Sequence, residues 1–142
     1  MKVIIFTNEN GGVSVCVPTG ELPIAETQAK DTPSHSIIID DSALPQGDDA
    51  KFFDAWVLSG TTVSVDHAKA TAIATKQLNQ LAYAEVQHRQ AKAGAGLTNV
   101  MADDDWATLL STARAAVTAA TNSTELLAAI APVQTAITAN AL

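Results

Sequence analysis

Hydrophobic positions along the chain follow two different periods, and the change falls at Asp66. Upstream of it, apolar residues occur in short β-branched runs. Val3 to Thr7 and Val13 to Val17 are separated by Asn8-Glu9-Asn10-Gly11-Gly12, and Asn and Gly accept the positive φ that a tight hairpin turn demands. A second hairpin is predicted where Phe52 to Leu58 meets Thr61 to Val65 across Ser59-Gly60, with Thr61, Val63 and Val65 on one face and Thr62 and Ser64 on the other. Between the hairpins, Ile37-Ile38-Ile39 reads as a buried strand bounded by Pro33 and the Asp40-Asp41-Ser42 turn. Residues 1–65 are therefore expected to form one small antiparallel sheet of about five strands.

Downstream the period becomes helical. Asp66 is placed as an N-cap, and the stretch from His67 to about Ala93 is rich in good helix formers. Its apolar stripe is Ala70, Ile73, Ala74, Leu78 and Leu81, and Gly94 and Gly96 end it. A second helix, over about 103–121, carries Trp106, Leu109, Leu110, Ala113, Val117 and Ala120 at i, i+3, i+4, i+7 spacing. Asp103, Asp104 and Asp105 at its head suit the positive end of the helix dipole. A third helix, over about 123–140, opens on Asn122-Ser123-Thr124-Glu125, a capping box with asparagine in place of the usual serine or threonine. Leu126, Ile130, Val133 and Ile137 form its stripe. Pro132 is expected to kink or split it, because an interior proline removes a backbone donor and costs about 3 kcal/mol. The fold class is thus α+β: a β-rich head over 1–65, then an alanine-rich helical region over 66–142 forming a hairpin or bundle.

Composition changes this picture in one respect. Hydrophobic residues make up 47% of the 142, but many are alanines after position 66. An alanine buries roughly a third of the area of a leucine, so the helical core is thin and further copies of the chain are expected to supply part of it. The formal charge of −7, with eight basic residues spread along the chain, argues against nucleic acid and against anionic membrane surfaces. No stretch has the length of a membrane span, and the start lacks the apolar core of a secretory signal. A cytoplasmic protein is expected, unless it leaves within a larger particle.

Candidate chemistry is sparse. Cys16 is the single cysteine and lies in the apolar run Val13-Ser14-Val15-Cys16-Val17, where a small buried hydrophobe is the simpler reading than a nucleophile. His35 sits between Ser34 and Ser36 in a polar loop, His67 at the start of the long helix, and His88 near its end beside Arg89, where the helix dipole accounts for it. None has a histidine or cysteine at metal spacing. Asp40-Asp41 and Asp48-Asp49 flank a proline-glycine loop, but the alternating ligands of a calcium loop are missing, and turn formation explains them better. No catalytic residue, cofactor site or metal site is assigned. Phe52, Phe53 and Trp56 cluster before the Ser59-Gly60 turn, and Trp106 heads the second helix. Core filling explains them; alternatively Trp56 and Trp106, with Leu109 and Leu110, anchor a partner interface.

Several segments together carry a family resemblance. They are the opening Met1-Lys2-Val3-Ile4-Ile5-Phe6-Thr7, then Leu44-Pro45-Gln46-Gly47-Asp48 and Phe53-Asp54-Ala55-Trp56. The turn Ser59-Gly60 and Thr61-Thr62-Val63-Ser64-Val65-Asp66 with Ala68-Lys69-Ala70 complete the pattern. Over about residues 1–75 the chain resembles small proteins of tailed bacteriophages encoded near tail-fibre and baseplate genes. In those relatives a β-rich start, an LP…AW segment and a glycine hairpin lead into a helix. Beyond that point they continue into a basic, Arg- and Leu-rich helix, whereas alanine- and threonine-rich helices follow here. The resemblance implies a non-enzymatic tail-module protein, either a virion component or a fibre chaperone, located in the virion or the host cytoplasm. It implies other phage structural proteins as partners, and a homo-oligomer, a trimer by the symmetry of tail fibres. The rival expectation is a small intracellular binding or regulatory module without catalytic activity.

Overall fold

The computed structural model describes residues 1–142 and has the α+β composition expected. The chain divides into two compact units, Met1–Lys69 and Ala70–Leu142.

In the first unit, β1 (Lys2–Thr7) is central. It pairs antiparallel with β2 (Val13–Cys16), Ile4 opposite Cys16 and Thr7 opposite Val13, and with β3 (Ile37–Asp40), Lys2 opposite Asp40 and Ile5 opposite Ile37. The β1–β2 turn is organised by Asn8. Its Oδ1 accepts from the N–H groups of Asn10 and Gly12, both at 3.1 Å, while Gly11 takes a φ of +78°. An eight-residue helix, α1 (Ile24–Asp31), lies between β2 and β3. The sequence offered no sign of it, because it buries no residue and so carries no apolar stripe. Polar ties hold it instead: Gln28 Nε2 donates to Ser36 O at 2.8 Å and Thr32 Oγ1 to Gln28 O at 2.7 Å.

The second hairpin, β4 (Trp56–Ser59) and β5 (Thr62–Val65), forms a separate two-stranded sheet, which corrects the expectation of a single five-stranded one. Here the hairpin buries its apolar face against residues of the first sheet instead of extending an edge. Trp56 and Val63 accordingly join Val3, Ile5 and Val13 in one buried cluster, with Leu58 and Val65 packed against it. The expected strand start at Phe52 is also corrected. Residues Gly47–Ala55 are 3-10 turns meeting at Phe52, and the strand begins at Trp56.

Asp66 caps the long helix α2 (His67–Gly94), its Oδ1 accepting from Lys69 N at 3.0 Å. In the second unit, α3 (Asp103–Ala119) and α4 (Ser123–Asn140) bury Ala113, Val117, Leu126, Ile130, Val133 and Ile137, the stripe positions read from the sequence. Asn122 Oδ1 accepts from Glu125 N at 2.9 Å, and the Glu125 carboxylate reaches back to Thr121 N at 2.6 Å. That is one residue earlier than the usual box closes. Of the kink or split expected at Pro132, the split does not occur: α4 runs unbroken from Ser123 to Asn140. Both Pro132 and Ala128, whose carbonyl loses its intrahelical donor, are exposed.

Candidate functional site

The four residues read as a partner interface occupy different environments. Trp56 is 5% exposed in the core of the first unit, and its Nε1 donates to Asp49 O at 3.0 Å. Its placement matches the core-filling alternative. Trp106, Leu109 and Leu110 are half-buried along α3. The Arg89 guanidinium carbon stands 5.9 Å from the Trp106 ring centroid, within cation–π range. Leu109 lines a small apolar depression of 110 Å³ with Ala113, Ala116, Ala128, Ala129 and Pro132.

The titratable groups singled out in the sequence are spread through the fold. His35 Nε2 lies 3.2 Å from Thr7 O, which can only accept, so that nitrogen carries the proton; the ring stands edge-on to Phe6. Cys16 is half-buried on an edge strand. Asp40 Oδ1 accepts from the Ser42 hydroxyl at 2.8 Å and from Ser42 N at 3.1 Å, starting a 3-10 turn. These contacts hold its carboxyl at about 2, below the ordinary 3.8, with the Ser42 hydroxyl the largest cause. Asp41 meets the Met1 amino group at 3.0 Å, whose pKa is raised chiefly by that bond. Asp48 pairs with Lys51 at 3.4 Å. No group of three or more His, Cys, Asp or Glu side chains is gathered for a metal ion.

The densest polar constellation is one the sequence reading missed. It lies in the second unit, where α2 faces the 95–102 loop, the head of α3 and the end of α4. Glu85 is 1% exposed and Lys92 7%, and both are ionisable side chains inside the unit. Asn140, the last residue of α4, joins them. Its Oδ1 accepts from Lys92 Nζ at 2.8 Å and from Val100 N at 3.0 Å; its Nδ2 donates to Glu85 Oε1 at 2.6 Å and to Asn99 Oδ1 at 3.2 Å. All four hydrogen-bonding positions of the amide are used, which settles its orientation. Arg89 adds a second layer, paired with Asp103 and donating to Met101 O at 2.9 Å.

The clasp is not fully satisfied. Arg89 Nε is 2.9 Å from Glu85 Oε1, yet its N–H does not point at that oxygen, so the contact is an ion pair without a directed hydrogen bond. Glu85 Oε2 and His88 Nδ1 face each other at 3.7 Å, both buried and neither hydrogen-bonded. One signal for these residues was present in the sequence. Leu78, Glu85 and Lys92 are seven apart, so the buried stripe of α2 continues past Leu81 in charged residues. A hydrophobicity pattern assigns such residues to solvent.

The first unit has a shallow polar depression of 280 Å³ between the Asn8–Gly12 turn, Phe53, Asp54 and Lys69. Comparison of the chain with protein-family models, curated proteins and solved structures finds no match.

Proposed function

We propose that this is a non-enzymatic structural or assembly protein of a tailed bacteriophage, a tail-fibre- or baseplate-associated virion component or a fibre chaperone. The observation that supports it is where the resembling residues lie. The opening strand, the Leu44–Asp48 turn, Phe53–Trp56 and the Ser59-Gly60 hairpin are successive parts of one compact unit, Met1–Lys69, with Trp56 in its core. A short pattern that coincides with a folded unit is a stronger basis for kinship than one scattered over surface loops. The buried Glu85, Lys92 and Asn140 of the second unit are bonded to one another, and Glu85 is paired with Arg89, which suits a scaffold more than a reaction centre.

Mass spectrometry of purified phage particles, beside the lysate of infected cells, tests the reading. Stoichiometric presence in particles supports the virion version. Presence in lysate alone, bound to a fibre protein, supports the chaperone. A protein found in lysate with no structural protein attached would sink both and leave the intracellular binding module.

A further inference from the structure

The helix α2 is held differently along its length. Ala70, Ala74 and Leu78 bury an apolar stripe, whereas beyond Leu78 the buried positions are Glu85 and Lys92. By contrast α3 and α4 contribute Val117, Leu126, Ile130 and Val133 to an apolar interior. A seam closed by polar groups is held by its hydrogen bonds, and here Glu85 Oε2, His88 Nδ1 and Arg89 Nε make ion-pair contacts but no hydrogen bond. A buried carboxylate with an unserved oxygen favours any state in which water reaches it.

We infer that residues 82–94 of α2 and the 95–102 loop form a latch that opens from α3 and α4 as a unit, with Asn140 as its pin. The pin is Asn140 because its amide holds Glu85 and Lys92 on the helix and Asn99 and Val100 on the loop at once. Releasing it removes the tie of both segments to the end of α4, while Arg89 still links the helix end to Asp103 and Trp106 of α3. The hinge side is secured separately, since Arg114 Nη1 on α3 donates to Asn79 Oδ1 at 2.8 Å. Once detached, a helix end of about thirteen residues is marginal in water and exchanges its amides. This property of the second unit holds whether or not the protein belongs to a phage particle.

Val100 is a built-in reporter: it is 68% exposed, yet its N–H is bonded to Asn140 Oδ1. The test is native-state hydrogen exchange by NMR on the full chain, wild type and Asn140→Ala. In the wild type, Val100 and the amides of 85–94 are expected to exchange together, about tenfold or more faster than Ile130 and Val133. Asn140→Ala is expected to accelerate that same set by about tenfold or more and to leave Ile130 and Val133 within about threefold. A single common rate across the second unit overturns the latch. So does acceleration of Val100 alone, or equal acceleration of every amide by the substitution. If Asn140→Ala fails to fold, the wild-type profile in low denaturant decides: separate exchange of 85–94 with Val100 supports the latch, and coincidence with Ile130 overturns it.

Discussion

Trp56 and Asp40 show how single side chains tie polar groups to the backbone of the first unit. The indole of Trp56 fills the buried cluster while its N–H reaches Asp49 O. Trp56→Phe keeps most of the apolar volume and removes one hydrogen bond whose acceptor belongs to an exposed residue. The expected loss is about 1 kcal/mol, against about 3–5 kcal/mol for Trp56→Ala, which adds a cavity; urea unfolding measures both. A similar loss in the two variants would mean that Trp56 does not anchor the core. For Asp40 the sign follows from the depressed carboxyl. Its folded pKa of about 2 lies below the ordinary 3.8, so its contribution to stability is full above 3.8 and is lost as pH falls through 2. An NMR titration of the Asp40 carboxyl should find that low midpoint, and Ser42→Ala should move it up toward 3.8. A midpoint unchanged in Ser42→Ala would remove Ser42 as the cause.

At the scale of elements, the structure follows local patterning wherever an element has an apolar stripe or a side-chain cap. The start of α2 at His67 follows from Asp66, and that of α4 at Ser123 from Asn122. Elements held by other means escaped the pattern: α1 is tied by Gln28 and Thr32, and Gly47–Ala55 turns back on the Trp56 indole. The proline in α4 gives this scale its test. Since the helix runs through Pro132, Pro132→Ala restores an N–H directed at Ala128 O in an exposed turn. It should stabilise the protein by up to about 3 kcal/mol, read as a higher urea midpoint with the slope unchanged. A destabilised variant would show that the ring packs favourably in the depression beside Leu109.

For the molecule as a whole, the alanine-rich composition of the helical region motivates the expected self-association. Multi-angle light scattering of the full chain is expected to give a defined oligomer, and a monomer persisting at high concentration would remove that expectation. What local chemistry determines is already on the chain. Hydrophobic period, turn glycines and capping residues are short-range properties, and they place the first hairpin turn, the Ser59-Gly60 turn and the three long helices within a few residues. Tertiary structure alone decided the rest. Whether the second hairpin extends a sheet or stacks on it depends on which surfaces meet, and period-2 alternation is the same in both cases. Glu85, Lys92 and Asn140 lie as far as 55 residues apart; each reads as solvated in its own segment. They become buried only when α2, the 95–102 loop and α4 converge, because a polar side chain's environment is set by its distant partners and not by its neighbours in sequence.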